Sequence, residues 1–311
     1  MRTRDLTAAN VVFIGGSGGI GLAAAVEVAA RGADVLLVGR DRARGERASA
    51  AVSATNGPGE VSWVQGDVSS IAGVDAVAAR IRAWRPVLHG LVHSAMHMPT
   101  TRAGSRVPQP SRSAARRRAA PARFRHALTD DGFEWAFGLQ YLARYALNRA
   151  LVDLLARSGD GRIVHVGAKV RPALVPELDD LQFARRRWSL LRALMSSQVL
   201  GHLHVQEAAR RWHDQPVSAT VVCVGPTRTE TTADQALWIR ALYRAIATTP
   251  QRSARNVVRV LTAADARPVD GTALRHPRRF APTRLAYDAA LARDVWDLSD
   301  RLARERGLSL A

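Results

Sequence analysis

Short runs of apolar residues alternate with longer amphipathic segments along most of the chain. Strands are predicted at about 10–14, 34–38, 61–65, 88–93, 162–166 and 217–224, with a further short strand near 272. Helices are predicted between them, at about 19–31, 41–54, 71–83, 130–157 and 189–213. This order predicts an α/β fold, a Rossmann-type doubly wound parallel sheet of about seven strands with helices on both faces.

One segment, from Thr100 to His126, breaks the alternation. Arg, Pro, Ser and Ala dominate it, and it shows no hydrophobic period. This composition is typical of a solvated, mobile insertion. A lid is the alternative, because the segment leaves the C-terminal end of the fourth predicted strand, and ligands bind at that edge of open α/β sheets.

The composition fits one globular domain over 1–311. Apolar residues make up 47% of the 311 residues, and α/β domains of this size often stay undivided. Cys223 is the single cysteine, so no disulfide can form within the chain and nothing requires an oxidising compartment. No apolar run approaches the ~18 residues of a membrane span, and the first residues lack a signal-peptide pattern. We therefore expect a cytoplasmic protein with no membrane partner.

The net charge of +18 raises the question of a nucleic-acid partner. Lys169 is the only lysine, and the arginines are spread along the whole chain rather than gathered in one segment. Few aromatic residues are interleaved with them, and no helix-turn-helix, zinc-knuckle or RNA-recognition pattern is present. The arginine excess thus indicates codon bias, and we expect a small-molecule substrate but no specific nucleic acid.

A glycine-rich sequence stands between the first strand and the first helix. Gly15, Gly19 and Gly21 have the spacing GxxxGxG within Gly-Gly-Ser-Gly-Gly-Ile-Gly. A tight turn of this kind lets backbone amides approach a pyrophosphate, to which the helix N-terminus adds its partial positive charge. Glycine spacing alone is weak evidence, but its place between a strand and a helix predicts a dinucleotide site.

Two further residues bear on the choice of dinucleotide. The second strand ends in Arg40 rather than in the acidic residue that would accept hydrogen bonds from a ribose 2′-hydroxyl. A guanidinium suits a 2′-phosphate and favours NADP(H) over NAD(H), although Arg40 is also one of many arginines in this chain. Asp67 follows the third strand, where a carboxylate can meet the adenine amino group.

These motifs resemble the cofactor half of the short-chain dehydrogenase/reductase family. Thr129–Glu134, Leu178–Gln182 and Val295–Ser299 resemble further segments of its retinol-dehydrogenase-like branch, so the resemblance covers nearly the whole chain outside the insertion. It implies a homodimer or homotetramer that forms through the fourth and fifth helices. It also implies a set of cofactor contacts: Gly15, Ser17, Gly18, Gly19, Ile20, Gly21, Arg40, Asp67, Val68, Ser94, Gly225 and Thr229.

The same resemblance implies an altered catalytic end. The family's usual mechanism needs a tyrosine as proton donor, a lysine that activates it, a serine that positions the substrate carbonyl and an asparagine that helps to hold the lysine. The flanking motifs assign these positions, in the order asparagine, serine, tyrosine and lysine, to Gln140, Ala168, Leu194 and Gln198. Met96 also places a side chain near the expected nicotinamide ribose. Carbonyl reduction by the usual route is therefore expected to be very slow.

Other side chains are candidates for the missing acid or base. Lys169 follows Ala168 at the end of the fifth strand, where a partly desolvated lysine can act as acid, base or imine former; the alternative is an exposed loop residue. His93 and His97 flank the exit of the fourth strand, and imidazoles transfer protons near neutrality. Gln140 is a further polar candidate. We expect no metal site, since no third ligand accompanies the two histidines.

Three functions remain open at this point. The first is an atypical short-chain oxidoreductase that binds NADP(H) and acts on a small metabolite with a substitute proton donor. The second is a non-redox enzyme on the same scaffold, catalysing a cyclisation, condensation, elimination or isomerisation. A step in a biosynthetic (tailoring) pathway would suit either enzyme, by analogy. The third is a non-catalytic protein that senses or scaffolds through its dinucleotide site.

Overall fold

The computed structural model describes residues 3–96, 126–170, 175–228, 247–275 and 279–308. Its strands are β1 (Asn10–Ile14), β2 (Asp34–Gly39), β3 (Val61–Gln65), β4 (Gly90–His93), β5 (Gly161–Gly167), β6 (Val217–Cys223), β7 (Thr272–Leu274) and β8 (Pro282–Arg284). They form one sheet in the order β3-β2-β1-β4-β5-β6-β7-β8, parallel throughout except for the antiparallel β8. The predicted Rossmann-type fold is confirmed, with eight strands in place of about seven.

The helices of the described ranges cover both faces of this sheet. They are α1 (Gly19–Ala29), α2 (Arg42–Ser53), α3 (Ile71–Trp84), α4 (Trp135–Phe137), α5 (Ala143–Ala156), α6 (Leu190–Arg211), α7 (Pro250–Thr262) and α8 (Ala289–Glu305). A π-helical turn, Gly138–Leu142, joins α4 to α5. Within the described ranges, no helix has the length and apolar character that a membrane crossing requires.

The central strands are buried on both faces. Every residue of β1 and β4 is buried, as expected for parallel strands between two helical layers. Val12 and Ile14 pack into the layer that contains α3, α5, α6 and α8, whereas Val11 and Phe13 pack into the layer of α1, α2 and α7. The continuous apolar runs of these strands in the sequence are thus explained by burial on both faces of the sheet.

Two details differ from the sequence prediction. The helix expected from about 130 begins at Trp135, because the preceding residues form a closed turn in which Thr129 N donates to Phe133 O at 2.7 Å. Glu134 then caps the helix by accepting from Phe137 N at 2.9 Å. The eighth strand escaped prediction because it has only three residues and lies at a partly exposed edge without an apolar alternation.

α8 lies across α5 and α6. Trp296 is buried, and its ring stacks on His204 at 5.2 Å. Tyr141 shares a 2.6 Å hydrogen bond with Ser299, so this tyrosine of the π-helical turn is tied to α8. The last helix therefore packs against the two helices through which the family resemblance predicts contact between copies.

Candidate functional site

The glycine turn after β1 is closed against the end of β4. Gly15 has a φ of +87°, in the left-handed region that favours glycine. A Cβ on Gly15 would lie 2.5 Å from the backbone nitrogen of Ala95, and one on Gly21 would overlap Ser94 Oγ. The Ser94 hydroxyl donates to the carbonyl oxygen of Ile14 at 3.1 Å. The turn therefore requires glycine at both positions.

The N-terminus of α1 faces this turn without a side-chain cap. Gly18 is the N-cap residue, and no acidic residue stands in the first turn, which begins with Gly19 and Ile20. Uncapped amides at a helix N-terminus are donors for an anion, and the helix dipole adds to the attraction. The turn, with Ser17 within it, fits a pyrophosphate.

Two arginines flank the end of β2 beside the glycine turn. Arg40 is exposed, and its carbonyl oxygen accepts a hydrogen bond from Gln65 Nε2 at 3.0 Å. Arg44, which the sequence reasoning did not single out, lies in the first turn of α2. A Cβ on Gly18 would be 3.2 Å from Nη2 of Arg44, so this guanidinium lies close to the turn. The sequence signal that could have identified Arg44 is its position four residues after Arg40, in the first turn of the predicted helix.

The residues after β3 complete the same side of the site. Asp67 is exposed, and its Oδ1 accepts a hydrogen bond from Ser69 N at 2.9 Å. Val68 is buried and lines a small cavity together with Ile14 and His93. The fold thus brings the glycine turn, Arg40 and Asp67 to one edge of the sheet, formed by the carboxyl ends of β1, β2 and β3.

Three of the four positions assigned to the family's catalytic residues are hydrogen-bonded in a chain. The backbone nitrogen of Ala168 donates to Gln198 Oε1 at 2.8 Å, and Gln198 Nε2 donates to Gln140 Oε1 at 3.3 Å. Gln140 lies in the π-helical turn, and its buried Nε2 has no partner in the part of the chain that the structure describes. Leu194 stands one turn before Gln198 on α6, half-buried beside an apolar cluster that includes Phe183.

A buried network of three imidazoles lies close to this chain of amides. Asn148 of α5 is fully buried, and its Oδ1 is 2.8 Å from His93 Nε2. Its Nδ2 is 2.9 Å from His165 Nε2 and 2.8 Å from His204 Nε2. His165 lies within the strand predicted at about 162–166. The contact between these four residues was not predicted, since they come from β4, β5, α5 and α6.

The amide of Asn148 sets the protonation of these rings. With its Nδ2 donating, His165 and His204 accept through Nε2 and carry their protons on Nδ1, whereas His93 donates from Nε2. Burial lowers the pKa of His93 and of His204 to about 3, and holds the pKa of His165 well below its ordinary value. All three imidazoles are therefore neutral at physiological pH.

Arg144, also on α5, bridges the carboxyl ends of β4 and β5. Its Nη1 donates to Val166 O at 2.9 Å, and its Nη2 donates to Ala95 O at 3.4 Å. Burial lowers the pKa of Arg144 to about 10, so the guanidinium still carries its charge at neutral pH. Neither hydrogen-bond acceptor is charged, and no carboxylate of the described ranges neutralises it.

The remaining predicted site residues are less tightly held, or lie outside the described residues. Lys169 is exposed at the end of β5, and Gly225 is exposed after β6. Met96 is 56% exposed. His97 and Thr229 lie outside the described residues, as do residues 100–125 of the predicted insertion. Among the residues that are described, no group of three or more His, Cys, Asp or Glu side chains is arranged to hold a metal ion.

Curated relatives extend the sequence resemblance along the chain. Retinol dehydrogenase 13 from Homo sapiens is 24% identical over 306 residues, which span 94% of this chain and 83% of that protein. WW domain-containing oxidoreductase from Danio rerio is 25% identical over 315 residues, 97% of this chain and 70% of that protein. The similarity therefore covers nearly the whole chain.

Solved structures share the fold. An uncharacterized protein from Mycobacterium Paratuberculosis aligns with a TM-score of 0.68 and 23% identity, covering 97% of this chain and 96% of its own. L-Sorbose reductase from Gluconobacter frateurii, complexed with NADPH and L-sorbose, aligns with a TM-score of 0.61 and 21% identity, covering 87% and 96%. A family model described as short chain dehydrogenase matches residues 9–172, just over half of the sequence. With that match, the chain belongs to the short-chain dehydrogenase/reductase family.

Proposed function

We propose that the protein is an atypical member of its family that binds NADP(H) and acts on a small metabolite without a Ser-Tyr-Lys mechanism. The observation that carries this proposal is the glycine turn, which has no room for a side chain at Gly15 or Gly21 and adjoins uncapped helix amides. Such a turn fits a pyrophosphate. The family generally uses NAD(P)(H), which agrees with the fit.

The residues present suit the adenosine half of the dinucleotide well. The turn and the N-terminus of α1 would hold the pyrophosphate, Arg40 and Arg44 the 2′-phosphate, and Asp67 the adenine. Ser94 borders the turn from the β4 side. When bound, the dinucleotide donates or accepts a hydride.

The proton that accompanies a hydride needs a different donor from the family's usual one. None of Gln140, Ala168, Leu194 and Gln198 ionises near neutral pH. Lys169 is exposed beside Ala168, at the edge where substrates bind in this fold, and is our candidate for proton transfer. His93 is a weaker candidate, because burial lowers its pKa to about 3 and its ring is bonded to Asn148.

A second function, dinucleotide binding without turnover, is favoured by the hydrogen-bonded amides of Gln140 and Gln198. These amides are bonded to each other through Gln198 Nε2 and Gln140 Oε1 and carry no ionisable proton, so a sensor or scaffold is compatible with them. A non-redox reaction on the same scaffold would be recognised by turnover without a change in cofactor absorbance, and by its loss in Lys169→Ala.

Calorimetric titration with NADPH and NADH tests the proposal. We expect micromolar NADPH binding that Arg40→Ala weakens by roughly tenfold or more, since a hydrogen bond between charged groups is worth ~1.5–3 kcal/mol. NADH binding should be unchanged in this variant. Arg31→Ala is the matched control, because it removes an equal charge from an exposed pair with Glu27 at the far end of α1. If the protein bound neither NADPH nor NADH, the proposal would be refuted.

The cellular setting and the assembly are part of the same proposal. A cytoplasmic enzyme of a biosynthetic (tailoring) pathway agrees with the single cysteine and with the small-molecule chemistry of the family. A homodimer or homotetramer is the family-based expectation. Light scattering separates the 33.7 kDa chain from its multiples.

A further inference from the structure

Arg144 is a buried positive charge with no negative partner in the described ranges. Its side chain is 7% exposed, and its two recorded acceptors are the backbone carbonyls of Val166 and Ala95. Buried charges are usually paired with an opposite charge, because desolvation is costly and carbonyl dipoles compensate only part of it. Arg144 therefore leaves an uncompensated positive potential around itself.

The groups nearest to Arg144 do not cancel that potential. His93 lines the same small cavity as Arg144, and both His93 and His165 interact electrostatically with the guanidinium. Burial keeps the pKa of each imidazole well below neutrality, so both rings are neutral. The low dielectric of the buried layer screens the charge far less than water or salt would. The surroundings of Arg144 thus leave most of its positive potential unscreened.

The position of this charge within the crevice gives it a specific consequence. Dinucleotides bind across the strand ends at the point where the strand order reverses, which here lies between β1 and β4. Arg40 and Asp67 lie on the β2–β3 side of that point, which assigns the adenosine half there. Arg144 joins the ends of β4 and β5 on the opposite side, which is left for the nicotinamide half.

The two oxidation states of the dinucleotide differ on that side. The oxidised nicotinamide ring carries a positive charge, whereas the reduced ring is neutral, and the phosphates are the same in both. We propose that Arg144 makes the crevice select the reduced dinucleotide, NADPH, over the oxidised form by like-charge repulsion. This inference rests on the proposed NADP(H) binding. Two unit charges within about 10 Å of each other at an effective dielectric constant of about 20 imply a preference of roughly tenfold.

The test compares the affinities of NADPH, NADP⁺ and 2′-phospho-ADP-ribose, a probe that lacks the nicotinamide. In the native protein, NADPH should bind roughly tenfold tighter than NADP⁺. Arg144→Met should bring the two affinities within about threefold of each other by removing the repulsion, with the probe's affinity little changed. Arg144→Lys keeps the charge and should keep most of the preference.

Arg149→Met is the matched control on the same helix, since Arg149 is paired with Asp300 at 3.3 Å. It should leave the ratio of affinities unchanged. If Arg144→Met does not fold, the native protein can be titrated with NADPH and NADP⁺ at increasing salt instead. A buried charge predicts that the ratio persists while both affinities weaken.

The two proposals fail in distinguishable ways. Equal affinities for NADPH and NADP⁺ in the native protein, or a preference that survives in Arg144→Met, would overturn the role of Arg144 alone. Lack of binding by all three nucleotides would overturn the proposed cofactor, and with it this inference.

Discussion

The two sides of the crevice are built from different parts of the chain. On the β1–β3 side, the contacts are offered by backbone atoms of the Gly15 turn and of α1, together with the exposed side chain of Arg40. On the β4–β6 side, polar side chains bond to one another and are buried, as in the pair Gln140–Gln198 and in the imidazoles around Asn148. The first side exposes its polar groups, whereas the second buries polar side chains that are bonded mainly to one another.

This difference shows which half of such a site tolerates sequence change. The turn at Gly15–Gly21 and the N-terminus of α1, here called the backbone cradle, need glycine at two positions. Otherwise this cradle depends little on side-chain identity. A catalytic half depends on the chemistry of each side chain. In this chain the glycine turn is well formed, while Gln140, Ala168, Leu194 and Gln198 place no ionisable group at the other side.

The largest expected effect is the loss of folding stability in acid, which acts through the buried imidazoles of the β4–β6 side. The folded-state pKa is lowered to about 3 for His93 and His204 and to about 4 for His202, and it is also lowered for His165. The unfolded chain binds more protons between its ordinary pKa of ~6.5 and the folded-state pKa of about 3. The free energy of unfolding is therefore unaffected by these rings above pH ~6.5 and falls as the pH drops towards 3. Each imidazole contributes a loss of ~1.4 kcal/mol per pH unit.

Urea unfolding at pH 8, 6 and 5 measures this effect. The midpoint should fall steeply below pH 6.5, and His204→Gln should reduce the slope by removing one of the titrating rings. A midpoint that stays constant between pH 8 and pH 5 would contradict the assignment of neutral, buried imidazoles.

Gly15→Ala tests the backbone side and should have the next largest effect. The new Cβ would lie 2.5 Å from Ala95 N at a φ of +87°, so the turn or the end of β4 must shift. We expect NADPH affinity to fall by about a hundredfold or more, as for the loss of a preorganised phosphate cradle. Calorimetry provides the measurement.

Gly159→Ala is the control for backbone strain alone. Gly159 also has a positive φ, of +73°, but a Cβ there meets nothing within 4 Å. It should cost stability of roughly 1 kcal/mol and leave nucleotide affinity unchanged. Equal affinities in the two variants would show that contact with β4 does not shape the cradle.

Among the three tests, leaving the control variant aside, Asn148→Leu should have the smallest effect, and it shows whether the two sides are coupled. The substitution leaves buried imidazole nitrogens without their partner, so we expect a loss of about 2 kcal/mol in the free energy of unfolding. NADPH affinity should stay within about threefold, because the cradle is not built from these groups. A large loss of affinity would mean that the two sides are coupled.

Local patterns were enough to predict the fold and the cradle. The strand runs and the Gly15–Gly21 spacing are visible within short windows, and the structure places them as one strand, turn and helix. The long-range features were not predictable in the same way. Asn148 and His204 are 56 residues apart and come together only through helix packing, which no local pattern records.

Arg144 could not be predicted from a local pattern either. In a chain with so many arginines, one more on an amphipathic helix carries no signal, and its burial depends on how α5 packs against the sheet. His202 and His204 illustrate the reverse case, because residues two apart on a helix do not share a face. His202 bonds to Tyr287, whereas His204 bonds to Asn148.

The scarcity of lysine gives Lys169 a practical meaning. It supplies the only side-chain amine of the chain, and it stands exposed at the end of β5, beside the proposed crevice. Acylating dyes, amine-directed crosslinkers and enzymes that conjugate other proteins to lysine modify most proteins at many positions. Apart from a terminal amino group, these reagents and enzymes find a single amine, that of Lys169, in this chain.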